Sequence, residues 1–150
     1  MPETALDDLL IREITAGDAA ATASLSEELG YPVPPDAMKQ RIEFLNGLRG
    51  HVVYVACLYG KVVGWIDIRE THHLQVEPCA EIGGLVVSSE ARGGGIGRRL
   101  IERAEGWARR QGLERVVVRS QLMREAAHRF YLREGYARTK TSAVFTKGLS

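Results

Sequence analysis

Apolar residues recur along this chain with two periods, one typical of strands and one typical of helices. The strand-like runs are Leu9–Glu13, His51–Leu58, Lys61–Arg69, Ala80–Val87 and Leu113–Ser120, with one bent or two short final strands over Ala137–Lys147. Helical spacing predicts four helices: Asp18 to Leu29, Pro35 to Gly50, Ile96 to Arg110 and Arg124 to Arg133. The predicted order is β-α-α-β-β-β-α-β-α-β-β, an α/β fold with a mixed sheet and helices on its faces.

Glycines refine this prediction at two places in the sheet. Tyr59-Gly60 joins two Val-rich runs and indicates a β-hairpin. Gly83-Gly84 interrupts the fourth strand, which favours a bulge or a close backbone approach over regular pairing. We expect the strands before and after the third helix to be parallel neighbours, because a helical crossover joins them.

Composition restricts the class of protein. The 150 residues, 45% of them hydrophobic, suit a single domain over residues 1–150, with residues 1–6 disordered. A net charge of +1 provides no field for nucleic acid or a membrane surface. Cys57 and Cys79 lack metal-ligand spacing, so we expect buried thiols, no disulfide and no metal. The acidic N-terminal residues and the absence of a long apolar run predict a cytoplasmic protein.

The densest signal for chemistry lies between the fourth strand and the third helix. Four glycines fall within the five residues from Gly93 to Gly97, directly before a helix start, which is an arrangement suited to a pyrophosphate. Arg98 and Arg99 stand where a nucleoside-triphosphate loop needs Lys and Ser or Thr. The spacing Gly93-x-Gly95-x-Gly97 also differs from the dinucleotide fingerprint GxGxxG.

Arg92-Gly93-Gly94-Gly95-Ile96-Gly97 resembles the Q/R-x-x-G-x-G/A signature of the GCN5-related N-acetyltransferase (GNAT) family. Leu85-x-Val87 and Phe130-Tyr131-x-x-x-Gly135-Tyr136 also match positions of that family. The resemblance implies the GNAT fold, with a V-shaped splay between strands four and five. It further implies acetyl-CoA as cosubstrate and direct attack of an amine in a ternary complex.

The resemblance also implies site residues. Those expected to bind acetyl-CoA are Leu85, Val86, Val87, Arg92, Gly93, Gly94, Gly95, Ile96, Gly97, Arg98, Gln121 and Tyr131. An N–H near Leu85 would stabilise the oxyanion, and the Tyr131 hydroxyl would protonate the departing thiolate. Gln121 stands near the position where relatives carry Asn, so whether it makes that contact to the cosubstrate stays open.

The proton acceptor for the amine has several candidates. Glu81 is the first, acting directly or through water, with a salt-bridged strand acid as the structural alternative. His72 and His73 come second, since they can also be merely exposed loop residues. Tyr131 has a structural alternative too, as an aromatic packed on a helix face.

The acceptor itself is expected to be a small-molecule amine. In this fold the two helices before residue 50 and the loop after the hairpin shape its pocket, and they offer Tyr31, Met38, Trp65, His72 and His73. Four acids could attract a cationic amine: Glu27, Glu28, Asp36 and Glu43. A protein lysine or N-terminal amine and a non-catalytic acyl-CoA-binding module are the alternatives. A homodimer through the last strands or the sheet edge is also expected.

Overall fold

A computed structural model describes residues 7–120 and 124–150. The chain forms two compact units, Met1–Arg119 and Ser120–Ser150. The strands are β1 (Leu9–Glu13), β2 (His51–Leu58), β3 (Lys61–Thr71), β4 (Cys79–Val87) and β5 (Val116–Val118). The helices are α1 (Ala19–Glu28), α2 (Pro35–Asn46), α3 (Ile96–Arg110) and α4 (Glu125–Arg133). The predicted disorder of residues 1–6 lies outside the described residues.

One mixed sheet organises the first unit. Its strands lie in the order β1-β2-β3-β4-β5; the first four pair antiparallel, and β5 pairs parallel with β4. The parallel neighbours expected around α3 are therefore confirmed. The β2–β3 hairpin is confirmed as well, since Leu58 pairs with Lys61 and the two-residue turn has positive φ at both Tyr59 and Gly60, as a type I′ turn requires.

The fourth strand departs from regular pairing where the sequence predicts it. Asp67 of β3 pairs with Gly84 and Ile68 pairs with Ile82, so Gly83 is the extra residue of a β-bulge. On its other side, β4 pairs with β5 only as far as Ile82, opposite Val118. Residues 83–87 therefore have a strand partner only on the β3 side among the described residues, which agrees with the predicted splay.

Helices cover both faces of the sheet, and β2 is buried from Val52 to Leu58 as a result. Val53 and Val55 belong to a core cluster with Ile42 of α2. The guanidinium of Arg103 in α3 lies over the ring of Tyr54, 4.9 Å from its centroid. Alternate side chains of the strand therefore face opposite helices. Asp67 is the register partner of Val53, which places its side chain on the α2 face.

The second helix and the fifth strand are shorter than predicted by several residues, and one prediction is wrong. The second helix ends at Asn46 and the fifth strand covers only Val116–Val118. The final strands predicted over Ala137–Lys147 are wrong, because residues 137–150 contain neither strand nor helix and are exposed throughout. A strand needs a hydrogen-bonded neighbour and usually a buried face, and this segment has neither among the described residues.

Cys57 and Cys79 are buried free thiols, as expected. Within residues 7–120 and 124–150, each helix is too short or too polar to cross a lipid bilayer.

Candidate active site

The glycine turn, Arg92–Gly97, has the backbone conformation that a phosphate site needs. Gly93 and Gly95 have φ of 83° and 85°, in the left-handed region that side chains with a Cβ rarely adopt. Gly95 is the N-cap of α3 and provides no side-chain hydrogen bond to the helix start. The first backbone N–H groups of α3 therefore lack a side-chain cap, and with the helix dipole they favour an anion there.

Side-chain contacts hold the segment that leads into this turn. Arg92 donates from Nε to the carbonyl oxygen of Val87 at 3.0 Å, which closes the loop between β4 and α3. Ser89 donates from its hydroxyl to Glu28 of α1 at 2.9 Å. Glu28, one of the acids predicted to attract a cationic amine, is thus a hydrogen-bond acceptor for this loop.

The second glycine of the bulge is explained by packing against Trp65. A Cβ on Gly84 would lie 2.7 Å from the outer edge of the Trp65 ring, closer than real side-chain contacts. The indole Nε1 of Trp65 is buried and has no hydrogen-bond partner among the described residues. Trp65 and Met38, both expected in the acceptor pocket, pack against the core cluster instead of standing free, whereas Tyr31 is exposed.

Glu81 lies between two arginines from neighbouring strands. Arg69 donates from Nη2 to one carboxylate oxygen at 2.8 Å, and Arg119 donates from Nε to the other at 2.7 Å. Burial raises the pKa of Glu81, but its hydrogen bonds to Arg69 and Arg119 outweigh this and hold the pKa below its ordinary value. A carboxylate shared by two arginines is a weaker proton acceptor than an unpaired one.

The residues around Glu81 form an open pocket of about 380 Å³. It is lined by Arg69, Thr71, His73, Glu81, Ile82, Gly83 and Arg119. We call this the arginine pocket. Of the two histidines considered as bases, His73 lines it, whereas His72 is bonded to Glu70 at 2.7 Å.

Arg69 and Arg119 are candidate functional residues that the sequence did not predict. Arg69 is the register partner of Glu81 across β3 and β4, and Arg119 directly follows β5. Their role depends on strand register, and the only sequence signal was their opposite charge to Glu81.

Tyr131 lies on α4 in the second unit. Its ring makes edge-to-face contacts with Phe130 at 5.3 Å and Tyr136 at 5.9 Å between centroids. Burial raises the pKa of Tyr131 above its ordinary value, and the nearby charge of Arg124 opposes this in part. The phenol is therefore protonated over the whole neutral range, as a proton donor must be. Gln121 lies outside the described residues, so its predicted contact has no structural account.

The sequence profile of the acetyltransferase (GNAT) family matches residues 19–136, which span both units. The aminoalkylphosphonate N-acetyltransferase of Salmonella typhimurium is 42% identical over 127 residues, covering 83% of this chain and 78% of that protein.

Solved structures resemble the chain at lower identity. An aminoglycoside N-acetyltransferase, AAC(6')-Iy, in complex with CoA has a TM-score of 0.83 at 17% identity, over 93% of this chain and 94% of that one. The aminoglycoside 6'-N-acetyltransferase AAC(6')-Ih from Acinetobacter baumannii has a TM-score of 0.82 at 19% identity, over 95% and 99% of the two chains. At such identities the likeness supports the fold.

Proposed function

Because the chain belongs to the GNAT family of acetyl-CoA-dependent N-acetyltransferases, we propose that its acceptor is a small amine that also carries an anionic group. An aminoalkylphosphonate is the leading class. The amine would attack the thioester directly, in a ternary complex with acetyl-CoA.

The arginine pocket is the observation that carries this proposal. Among the residues that line the pocket, Arg69 and Arg119 bring two positive charges against the single negative charge of Glu81. A guanidinium has five N–H donors, and one hydrogen bond from each arginine goes to Glu81. The other N–H donors of the two guanidinium groups suit the oxygens of a phosphonate, for which arginine is the favoured partner.

The same charge argues against a polycationic acceptor. The structural neighbours named as aminoglycoside acetyltransferases share less than a quarter of their residues with this chain, so they support its fold only. The two arginines that line the pocket disfavour an acceptor with several positive charges and attract the anionic end of a zwitterion. The 42% identical relative named for aminoalkylphosphonates points the same way.

The chemistry assigns roles to the residues matched by the family signature. The N–H groups of the glycine turn would hold the pyrophosphate of acetyl-CoA, and the pantetheine would run along Leu85–Val87, where β4 has no second strand partner among the described residues. An N–H near Leu85 would stabilise the oxyanion. The Tyr131 hydroxyl would give its proton to the departing thiolate, in line with its raised pKa.

Thiol release with a panel of acceptors tests the proposal. The panel contains 2-aminoethylphosphonate, a diamine, an aminoglycoside and a lysine-containing peptide, each with saturating acetyl-CoA. We expect kcat/KM for the phosphonate to exceed that for the diamine by roughly 10- to 100-fold, the effect of one or two charge-assisted hydrogen bonds. A preference for the aminoglycoside or the peptide contradicts the acceptor class. Binding of acetyl-CoA without thiol release from any amine contradicts catalysis.

The kinetic pattern tests the ternary complex separately. Initial rates measured against both substrates should give intersecting reciprocal lines. Parallel lines would indicate a covalent acetyl-enzyme and contradict direct attack.

A cytoplasmic location and a homodimer complete the proposal. Two buried free thiols support a reducing compartment.

Val144, Phe145 and Leu149 are more than 85% exposed, a surface that a second copy could cover. A solution mass equal to twice the 16.6 kDa of the chain supports the dimer, and a monomer mass at micromolar concentration contradicts it.

A further inference from the structure

A histidine and an aspartate form a second polar pair beside the arginine pocket. The Nε2 atom of His51, the first residue of β2, lies 2.5 Å from Oδ1 of Asp67 on β3. The two side chains are 13% and 27% exposed, so both are largely withdrawn from solvent. Neither residue has a part in the acetyl-transfer chemistry assigned above.

The bulge leaves the other oxygen of Asp67 uncovered by any side chain of β4. Gly83 is the extra residue of the bulge and Gly84 is the register partner of Asp67, so no Cβ stands opposite this carboxylate. A Cβ built on Gly83 would lie 3.4 Å from Oδ2 of Asp67. Gly83 also lines the arginine pocket. The carboxylate of Asp67 therefore borders the pocket through a position where the sequence provides no side chain.

Asp67 and Arg69 occupy neighbouring positions on one face of β3, which suits an acceptor that carries an amine and an anion. Asp67 and Arg69 are two residues apart on β3, so their side chains share a face at a spacing of about 6.6 Å along the strand. An aminoalkylphosphonate has its ammonium and its phosphonate separated by only a few bonds. The phosphonate on Arg69 and Arg119 would then direct the ammonium towards Asp67.

We propose that Asp67, held by His51, binds the ammonium group of the acceptor and takes its proton. This assignment rests on the acetyl transfer proposed above and adds a catalytic residue to it. Glu81 has an arginine on each carboxylate oxygen, whereas Asp67 has a histidine on Oδ1 and the bulge beside Oδ2. Asp67 is thus better placed than Glu81 to accept a proton from an amine.

Proton transfer from the ammonium to Asp67 precedes the attack on the thioester. One N–H bond of the ammonium breaks and an O–H bond forms on Asp67, which frees the nitrogen lone pair. The lone pair forms the C–N bond with the thioester carbon, and the C–S bond then breaks. The attacking nitrogen also loses a second proton, which replaces the proton given to the thiolate. Asp67 then returns its own proton to solvent. The products are the N-acetyl compound, free CoA and one proton.

The variant Asp67→Asn tests the proposal with a pair of ligands. The amide keeps an oxygen for the His51 hydrogen bond, so we expect the fold and the affinity for acetyl-CoA to be retained. With 2-aminoethylphosphonate, kcat should fall by about 100-fold, the usual effect of removing a general base. Binding of 2-aminoethylphosphonate should weaken in calorimetric titrations, whereas binding of ethylphosphonate, which has no amine, should not weaken.

The variant Glu70→Gln is the matched control. Like Asp67, Glu70 lies on β3 and is hydrogen-bonded to a histidine, in this case His72. Unlike Asp67, it does not border the bulge. We expect wild-type kcat from this variant.

Three outcomes would overturn the assignment: wild-type kcat in Asp67→Asn, an equal loss of affinity for ethylphosphonate, or a kcat for Glu70→Gln as low as that for Asp67→Asn. If the proposed acceptor class is wrong, the wild type will not acetylate aminoalkylphosphonates, and this result is distinct from the three outcomes above. In that case the amine that the wild type does acetylate, together with its analogue lacking nitrogen, replaces the phosphonate pair, and the same loss of kcat in Asp67→Asn is expected.

Discussion

The glycine turn and the arginine pocket are two parts of one proposed site, and they are built in different ways. The glycine turn consists of consecutive residues whose backbone makes the site, with Gly93 and Gly95 in the left-handed region. The arginine pocket joins side chains from β3, β4 and the residue after β5. The first can be identified in a linear sequence. The second exists only once the strands are in register.

This difference separates the common chemistry from the specific chemistry. A backbone cradle recognises pyrophosphate whatever side chains surround it, so it suits the cosubstrate. Side chains gathered across strands set a local charge, so they suit the choice of acceptor. Substitutions in the two regions should therefore affect different substrates.

The largest effect is expected from Gly95→Val. A β-branched residue at a φ of 85° is strained, and it would displace the backbone N–H groups of the turn. We expect acetyl-CoA affinity to fall by about 100-fold or more, since two charge-assisted hydrogen bonds are worth roughly 3–6 kcal/mol. Calorimetric titration with acetyl-CoA measures it.

Gly112→Val is the control for Gly95→Val. Gly112 has a φ of 79° just beyond the C-terminal end of α3, so the substitution brings similar strain without touching the turn. Equal losses of acetyl-CoA affinity in the two variants would mean that the turn has no special role.

Tyr131→Phe should lower kcat by about 100-fold while leaving acetyl-CoA affinity near that of the wild type. The variant removes only the hydroxyl and keeps the edge-to-face contacts with Phe130 and Tyr136. Tyr136→Phe is the matched control. Wild-type turnover by Tyr131→Phe would assign the tyrosine to packing alone.

Much of the fold could be predicted from the sequence where local pattern and tertiary context agree. The hairpin at Tyr59-Gly60, the bulge at Gly83-Gly84 and the parallel pairing of β4 with β5 are all confirmed. The final strands were wrong because apolar residues such as Val144 and Phe145 predict a buried face, yet both are almost fully exposed. Local alternation cannot provide the partner strand that a strand requires.

Some residues of the candidate site could be predicted from the sequence, and others could not. Glu81 could be selected from the sequence as a polar residue within an apolar strand, but its two arginine partners could not. A role for Asp67 could not be predicted from the sequence, because its contacts, His51 and Gly83, come from two other strands. The role of Glu81 as a general base stays a prediction, and its ion pairs with two arginines argue against that role.

Gly84→Ala should destabilise the fold by about 1–3 kcal/mol, because its Cβ would overlap the Trp65 ring and force it to move. Thermal or denaturant unfolding measures this. Gly83→Ala is the neighbouring control: its Cβ has ordinary contacts with Asp67, so stability should change little. Equal stabilities of the two variants would show that the Trp65 contact does not require glycine.

Glu81→Gln should have the smallest kinetic effect, and its direction is informative. Removing the negative charge leaves Arg69 and Arg119 available to the acceptor anion, so KM for 2-aminoethylphosphonate should fall by a few-fold with kcat nearly unchanged. A loss of kcat of about 100-fold would instead identify Glu81 as the general base.

The pH dependence of stability provides a related, smaller effect. The pKa of Glu81 is lowered in the folded chain, so its ion pairs stabilise the fold at neutral pH. This stabilisation is lost as the pH falls through the lowered pKa. Since both arginines are more than half exposed, the difference between wild type and Glu81→Gln at pH 7 should be at most about 1 kcal/mol. A difference that persists at low pH would contradict the pairing.

The most direct test of the central claim compares two acceptors in two proteins. The ratio of kcat/KM for 2-aminoethylphosphonate to kcat/KM for propylamine is measured in the wild type and in Arg69→Gln. If the arginine pocket selects an anionic acceptor, the ratio is roughly 10 to 100 in the wild type and falls most of the way to 1 in the variant. A wild-type ratio near 1, or a high ratio that survives Arg69→Gln, would contradict the account.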